Sequence, residues 1–355
     1  MKLEEIINGI KPVEKEWIQK SRERTAQLVM PTRALGRLHE ISEQLCAIQK
    51  TLKPSLKQKA ILVMAGDHGV ADEGVSAYPQ EVTGAMVQTF LRGGAGINAI
   101  SRHVGAEVCV VDMGIIPDLD PNVLDGGNQL MVRKIAPGTA NFTKGPAMTR
   151  QDAEKSILTG FQTAADLFHQ GIELLGTGDM GIANTTPSAA IGSVVTGTSP
   201  EEMVGRGTGV DDKGYSIKLE TVKKGIQINQ PDALDGLDVL AKVGGFEIGG
   251  IAGCVLAAAF HSRPVVIDGF ISTAGALIAY ALCPHVKDYI IGGHCSEETG
   301  HRNMLKYIGI EPILNLGMRL GEGTGGALAM GIMEGAIRVF NEVLTFDEAD
   351  VSDKE

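Results

Sequence analysis

The sequence predicts an α/β fold built on a doubly wound, parallel six-stranded sheet. Six short apolar runs recur along the 355 residues, and sequence with helical period follows each of them. Hydrophobicity within these runs is continuous rather than alternating, which is typical of strands in a parallel sheet that is buried on both faces. The chain also has 46 glycines and only 4% aromatic residues, which indicates an aliphatic core with many tight turns.

The predicted strands end in glycine-rich or polar segments. In chain order the strands are 60–65, 107–112, 172–175, 264–268, 288–291 and 312–316. The segments that follow them are 66–69, 112–114, 176–179, 268–269, 292–296 and the loop that contains Glu322. Parallel strands place their carboxyl ends along one edge of the sheet, which is the usual ligand crevice of open α/β folds. We therefore expect these segments to form one binding rim.

Helices are predicted between the strands and at both termini. Thr149, with Asp152 three residues later, resembles a capping box and predicts a helix over 153–169. Other segments with helical period are 210–229, 249–261, 273–282 and 326–343. The first 55 residues also have helical period, with mixed charge. The segment 115–148 has no strong period and is predicted to be a long loop.

Neither terminus contains a predicted strand, so we expect the two termini to pack together. This predicts a small helical domain formed by residues 1–55 plus 326–355. Residues 56–325 then form a large α/β domain that carries the active site.

Composition excludes several classes of function. The net charge of -11 argues against nucleic acid and anionic membranes as partners, because both require a basic surface. The five cysteines are scattered, with no C-x-x-C spacing, and are expected to be reduced thiols. The longest apolar stretch, 249–260, is shorter than the roughly 20 residues that span a bilayer. Residues 1–6 contain acids where a signal peptide needs an apolar run, so we expect a cytoplasmic protein.

Residues 176–181 match the pattern G-x-G-x-x-G, which suggests a dinucleotide site. Such a site also needs an acid at the end of the next strand, about 20 residues on. At that distance lies 199–202, a cap-like stretch that no predicted strand precedes. The loop can still bind one phosphate through backbone N–H groups. A nicotinamide-dependent dehydrogenase and a non-catalytic nucleotide sensor remain alternatives.

Acidic and histidine residues near the rim allow more than one interpretation. Asp268 lies in a segment with a superficial similarity to the diphosphate loop of ordinary phosphoribosyltransferases, but the second acid of that loop is missing. Asp268 is therefore either a sugar ligand or a helix N-terminal acid. His294, Glu298 and His301 lack the H-E-x-x-H spacing, so no metal site is predicted. We expect Asp67-His68 to be a hydrogen-bonded pair at a strand end.

Glu322 is the candidate catalytic residue. It stands alone among glycines in 320–326, directly after an apolar run. Glycines let the backbone approach a ligand closely, and a single carboxylate held there is placed to accept a proton. The alternative is a tight turn in which the carboxylate points to water.

Four linked motifs occur in a fixed order along the chain: GDHGV at 66–70 with EGVSAYP at 73–79, GDMGIANTT at 178–186, HCSE at 294–297 and LGEGTG at 320–325. Together they resemble the nicotinate-nucleotide:dimethylbenzimidazole phosphoribosyltransferase family. Their order and spacing match from near residue 60 to near residue 340. The resemblance implies a Rossmann-like six-stranded domain, a small helical domain from both termini, and a homodimer. It also implies a role in assembling the lower nucleotide loop of cobalamin, with nicotinate mononucleotide and a benzimidazole as substrates.

The resemblance also implies roles for single residues. Glu322 is the general base, and Lys218, Gly181 and Ser296 hold the nucleotide phosphate. Asp179 is a second catalytic candidate, although the family has Glu at that position. The remaining predicted phosphate or ribose contacts are Asn184, Asp268, Gly292 and Gly293. The predicted base pocket consists of Tyr78, Met86, Met180, Met318 and Leu320. No cofactor is expected, because a cationic pyridinium leaves without the help of an acid or a metal.

Overall fold

The computed structural model describes residues 1–119, 128–207 and 209–352. Within these ranges it contains one sheet of seven strands, paired in parallel in the order β3-β2-β1-β4-β5-β6-β7. The strands are β1 (Lys59–Gly66), β2 (Ala106–Gly114), β3 (Gln129–Val132), β4 (Leu174–Met180), β5 (Val265–Ile267), β6 (Ile290–His294) and β7 (Pro312–Leu314). The predicted α/β class and parallel sheet are confirmed, and the predicted number of six strands is corrected to seven.

The additional strand, β3, lies inside the segment that the sequence predicted as a loop. It pairs with β2 at the edge of the sheet, with Cys109 opposite Gln129. It is four residues long, and only Leu130 among them is buried. A short edge strand of this kind lacks the continuous hydrophobicity from which the other six were predicted. Residues 120–127 of the predicted loop lie outside the described part of the chain.

Strand β4 continues five residues beyond its predicted end, so the G-x-G-x-x-G segment is mostly strand rather than loop. A Cβ at Gly178 would overlap the carbonyl oxygen of Glu322, and a Cβ at Gly176 would overlap Ile61. These two glycines therefore let neighbouring elements pack closely against β4. The structure gives them no phosphate-binding geometry, which removes the basis for a dinucleotide site.

Helices cover both faces of the sheet. Those among the described residues are α1 (Leu3–Gly9), α2 (Lys15–Gln27), α3 (Arg37–Gln49), α4 (Val82–Leu91), α5 (Gly96–Val104), α6 (Arg150–His169), α7 (Thr185–Thr196), α8 (Pro200–Met203), α9 (Asp212–Asn229), α10 (Gly236–Val243), α11 (Phe246–Phe260), α12 (Phe270–Leu282), α13 (His301–Ile308) and α14 (Thr324–Glu342). The predicted cap of α6 is present: the Thr149 hydroxyl accepts a hydrogen bond from the Asp152 N–H. Among these helices, none combines the length and apolarity needed to cross a membrane.

The sheet separates two apolar cores. Alternate residues of β1 point to opposite faces, as the strand period requires. Leu62 and Met64 pack with α6, α10, α11 and α12. Ile61 and Val63 pack with α3, α4, α5 and α14. Burial on both faces is the physical reason for the continuous apolar runs in the sequence.

The two termini contact each other. Leu28 forms an antiparallel bridge with Thr345, and the Arg24 Nε donates to the Phe340 carbonyl. Helix α14 also packs against β4 and β6 of the sheet. The division into a small helical domain and a large α/β domain remains a prediction, and its last residues, 353–355, lie outside the described ranges.

The direction in which successive strands are added to the sheet changes between β1 and β4. From β1 the chain continues to β2 and β3 on one side, whereas from β4 it continues to β5, β6 and β7 on the other. Such a switch point opens a crevice beyond the carboxyl ends of the strands, which is where open α/β sheets bind ligands. Residues at the ends of β4, β5 and β6 are therefore placed around one site.

Candidate active site

A cavity of about 400 Å³ lies at the carboxyl ends of β4, β5 and β6, beside the switch point. Nine of the predicted site residues line it: Tyr78, Met86, Asp179, Met180, Gly181, Asn184, Ser296, Leu320 and Glu322. A groove of about 520 Å³ beside α6 is larger, but it lies away from the strand ends. The convergence of three buried carboxylates, Asp179, Glu298 and Glu322, with apolar walls marks the 400 Å³ cavity as the candidate active site.

Glu322 is held in a strained backbone conformation and is buried. Its φ is 63°, and the neighbouring Gly321 and Gly323 have φ values of 80° and 95°. Non-glycine residues rarely adopt this left-handed region, and they cluster at functional sites when they do. The side chain is only 6% exposed, so the alternative of a carboxylate pointing to water is wrong.

The pKa of Glu322 is raised, chiefly because burial disfavours the charged carboxylate. The negative charge of Asp268 adds to this effect. Backbone N–H groups oppose it: Oε2 accepts a hydrogen bond of 3.0 Å from Ile97, at the start of α5. The result is a carboxylate with more basic character than an exposed glutamate, fixed at the cavity wall.

Asp179, at the end of β4, is a second buried acid. Its Oδ2 accepts a hydrogen bond of 2.9 Å from the Asn184 amide, while Oδ1 has no partner among the described residues. Burial raises the pKa of Asp179 to about 8, and the charge of Asp268 contributes further. Asp179 is therefore mostly protonated at neutral pH and can donate a hydrogen bond through its carboxyl group.

Positive groups lie behind and beside one wall of the cavity. Lys218 is 1% exposed, and its Nζ donates to the Thr185 hydroxyl at 2.6 Å. Burial lowers the pKa of Lys218 to about 8, and Glu298 partly opposes that fall. Arg319 lines the cavity and donates through Nη1 to the Gly207 carbonyl at 3.3 Å. Thr185 and Gly207 separate Lys218 from the cavity itself.

Five predicted site residues do not line the cavity: Lys218, Asp268, Gly292, Gly293 and Met318. The two oxygens of Asp268 accept hydrogen bonds from Gly323 and Gly326, at the start of α14. The geometry thus favours the helix N-terminal role for Asp268 over sugar binding.

Gly292 and Gly293 lie within β6, not in an anion-binding loop. A Cβ on Gly292 would be 3.0 Å from the Ile310 side chain, and one on Gly293 would be 2.9 Å from Gly326. Close packing against β7 and α14 explains both glycines. Met318 contributes its carbonyl oxygen, which accepts a hydrogen bond from the Glu297 N–H.

The buried His301 holds the loop that carries Ser296. His301 accepts a hydrogen bond of 2.8 Å from the Ser296 N–H, and its other ring nitrogen lies 2.8 Å from the Thr273 hydroxyl. Burial lowers the pKa of His301 to about 3, so the ring is neutral and fixes the Ser296 loop. In the described part of the chain, no three acidic, histidine or cysteine residues group closely enough to hold a metal ion.

The expected pairing of Asp67 with His68 is corrected. Asp67 accepts a hydrogen bond from the Ile116 N–H at 2.8 Å. His68 lies 2.8 Å from the Glu247 carboxylate, and both side chains are fully buried. A Cβ on Gly181 would be 3.2 Å from the His68 Nε2, so the His68 ring supports the loop at the cavity floor.

Sequence reasoning missed several lining residues. They are Val82, Ile182, Thr185, Gly207, Gly269, Phe270, Ile271, His294, Glu298, Arg319 and Gly321. The position of Arg319 three residues before Glu322 was an available signal, because a cation beside a catalytic loop often binds an anion. Thr185 and Phe270 carry no comparable pattern, and only the folded chain brings them to the site.

Comparisons with known proteins found relatives of similar sequence and a solved structure of similar fold. A family model described as a phosphoribosyltransferase (DBI_PRT) matches residues 10–351. A protein of Geobacter sulfurreducens is 50% identical over 351 residues, which cover 99% of this chain and 98% of that protein. A protein of Geotalea uraniireducens is also 50% identical, over 99% of each chain. Both are named nicotinate-nucleotide–dimethylbenzimidazole phosphoribosyltransferase. The crystal structure of CobT from Thermus thermophilus superimposes with a TM-score of 0.90 at 44% identity, over 96% of this chain and 100% of that one.

Proposed function

The chain belongs to the nicotinate-nucleotide–dimethylbenzimidazole phosphoribosyltransferase family, and from that premise we propose how it acts on its substrates. It transfers the phosphoribosyl group from nicotinate mononucleotide to 5,6-dimethylbenzimidazole, giving α-ribazole 5'-phosphate and nicotinate. The product serves the lower nucleotide loop of cobalamin. The observation that carries the site assignment is the buried Glu322 carboxylate at the cavity wall, in a strained loop.

Glu322 acts as the general base. As one nitrogen of the benzimidazole attacks the anomeric carbon, the opposite N–H must lose its proton. The raised pKa of Glu322 suits this task, because a base whose pKa lies closer to the working pH accepts a proton more readily. The leaving nicotinate departs from a pyridinium cation and needs no acid. Attack from the face opposite the leaving group converts the β nucleotide into the α product.

Asp179 acts as a neutral hydrogen-bond donor toward the ribose or an intervening water. Its pKa of about 8 and its unpartnered Oδ1 support this role. The family has glutamate here, and aspartate is one methylene shorter. A second ionised carboxylate beside Glu322 would be electrostatically costly, and a protonated Asp179 avoids that cost.

The phosphate binds against the wall formed by Thr185, Gly207 and Ser296, with Lys218 behind it. Arg319 supplies a second cation at this wall. The Gly181 loop and Asn184 complete it, directly before α7. Two cations and the hydroxyls of Thr185 and Ser296 suit a phosphate dianion, which prefers charge-assisted hydrogen bonds.

The benzimidazole occupies the apolar part of the cavity. Tyr78, Met86, Met180 and Leu320 line that part, and Val82 joins them from the first turn of α4. Flat aromatic ligands pack well against thioethers and aromatic rings. Tyr78 and Leu320 are 55% and 59% exposed, so a bound base would cover apolar surface that now faces solvent.

A direct product assay tests the proposal. Purified protein is incubated with nicotinate mononucleotide and dimethylbenzimidazole, and the products are separated and identified. We expect α-ribazole 5'-phosphate and an equal amount of free nicotinate, with no absorbance of a reduced nicotinamide. Tight nucleotide binding without release of nicotinate would instead indicate a sensor.

We also propose a homodimer, the two-domain division 1–55 plus 326–355 and 56–325, and a location in the cytoplasm. The family resemblance supports the first two. Five unpaired cysteines, all buried, support a reducing compartment. Sedimentation at several protein concentrations tests the dimer.

A further inference from the structure

The N-terminus of α5 holds the Glu322 carboxylate in place. Ile97, the second residue of the helix, donates its N–H to Oε2 at 3.0 Å. The preceding Gly96 adjoins the same oxygen, since a Cβ there would be 3.2 Å from Oε2. The first N–H groups of a helix have no partner within the helix and carry a partial positive charge. The position of this helix end therefore decides where the base points and how readily it ionises.

Asn98 fixes that helix end. It is 2% exposed and forms two hydrogen bonds that close the turn between α4 and α5. Its Oδ1 accepts from the Ala95 N–H at 3.0 Å, and its Nδ2 donates to the Phe90 carbonyl at 3.0 Å. Asn128, directly before β3, also donates to the Phe90 carbonyl.

Asn98 also connects the two halves of the site. Helix α4 contributes Val82 and Met86 to the apolar wall of the cavity. Helix α5 contributes the N–H groups that hold Glu322. The connecting residues 92–95 include two glycines, which allow many backbone conformations. The Asn98 hydrogen bonds restrict this connection and so fix the orientation of α4 relative to α5.

We infer that Asn98 is a positioning residue for the general base: it holds α5 so that the Ile97 N–H orients Glu322 and favours its ionised form. This inference rests on the proposed function, because it assigns Asn98 an effect on the same reaction. Asn98 does not line the cavity and contacts no reacting atom.

The sign of the effect follows from the groups that face Glu322. Asp268, at the end of β5, opposes its ionisation, and Asp179 on β4 lies close enough for mutual repulsion. The N–H groups of α5 act in the opposite sense. Arg319 faces the same cavity from the loop before Glu322, His294 faces it from the end of β6, and Glu298 faces it from the loop after β6. Loss of the α5 donors raises the pKa of Glu322, so the acid limb of the rate profile moves to higher pH.

The test compares Asn98→Ala with Asn229→Ala, measuring kcat from about pH 5 to about pH 9. Asn229 is a matched control, because it is 8% exposed and its amide bonds two backbone carbonyls, Phe142 and Gly225, away from the cavity. We expect the acid limb of the pH–rate profile of Asn98→Ala to move to higher pH by about one pH unit. Turnover then falls about tenfold on the acid limb and recovers toward the wild-type value at high pH. Asn229→Ala should keep the wild-type profile.

A second pair of variants covers the case in which Asn98→Ala does not fold. Ile97→Pro removes the donating N–H itself in the first turn of α5, where that N–H has no partner within the helix, and Ile97→Val controls for the altered side chain. Ile97→Pro should show the same displaced limb, and Ile97→Val should not. An unmoved limb in Asn98→Ala and Ile97→Pro overturns the inference, as does a loss of turnover that is equal at all pH values. Absence of transfer in the wild-type protein would instead refute the proposed function.

Discussion

Replacing Lys218 by methionine should stabilise the folded chain and weaken the binding of the nucleotide substrate. Burial lowers the pKa of Lys218 from 10.5 to about 8. One pKa unit corresponds to about 1.4 kcal/mol, so the buried ammonium costs the folded state roughly 3 kcal/mol. The hydrogen bond to Thr185 returns about 1 kcal/mol of this. Methionine keeps the apolar length, and we expect Lys218→Met to be more stable by about 1 to 2 kcal/mol at pH 7.

The pH dependence of this gain has a fixed sign. The cost of the charge is fully present below the folded pKa of about 8 and disappears as the pH rises toward 10.5. The stability difference between Lys218→Met and the wild type should therefore shrink above about pH 8. Urea unfolding at several pH values measures it. Lys59→Met is the control: Lys59 is also buried but pairs with Glu334 at 2.8 Å, so its removal should give no gain.

The functional consequence of Lys218→Met appears in substrate preference. A direct charge-assisted contact to phosphate contributes about 1.5 to 3 kcal/mol, and Lys218 lies behind Thr185, so kcat/KM for nicotinate mononucleotide should fall by about 10-fold and by no more than about 150-fold. Nicotinate riboside lacks the phosphate and should be affected much less. The wild-type preference for nucleotide over riboside should be mostly lost in Lys218→Met and kept in Lys59→Met. An unchanged preference in Lys218→Met would refute the assignment of Lys218 to the phosphate.

Two further predictions concern the ends of the catalytic strand and loop. Asp179→Asn should keep turnover within about tenfold of wild type at pH 7, because Asp179 is already mostly neutral there. The variant should also lose any fall in rate that the wild type shows near pH 8. A loss of turnover of about 100-fold or more at pH 7 would show that the ionised form of Asp179 is required. Gly178→Ala should abolish turnover, because the added methyl group overlaps the Glu322 backbone and displaces the base. Wild-type kinetics in a folded Gly178→Ala protein would contradict the close packing of Gly178 against Glu322.

Residues buried on both faces of the sheet made the fold readable from sequence. Runs such as 60–65 are apolar at every position because β1 contacts a core on each side. Strand β3 has one buried residue in four, and so local sequence gives it no comparable signal. The ends of the strands were predicted less accurately than their presence in the sheet. In β4 the reason is that glycines which permit close packing cannot be distinguished in sequence from loop glycines.

The candidate site was predictable from sequence where the residues next to a functional side chain indicate its role. Glu322 stands among glycines, and its positive φ explains why glycines surround it. Its partner Ile97 lies 225 residues away in sequence, and nothing local marks that contact. The sequence left Asp268 as either a sugar ligand or a helix N-terminal acid, and its hydrogen bonds from Gly323 and Gly326 at the start of α14 favour the second role. Roles that depend on long-range hydrogen bonds emerge only from the folded chain.

Glu322→Gln tests directly whether the Glu322 carboxylate accepts the proton of the attacking benzimidazole. Glutamine keeps the shape of the side chain and removes the proton acceptor. In a single-turnover assay with nicotinate mononucleotide and dimethylbenzimidazole, we predict a rate lower by about 10²- to 10⁴-fold, with nucleotide affinity within a few fold of wild type. A rate equal to that of the wild type would show that Glu322 is not the general base.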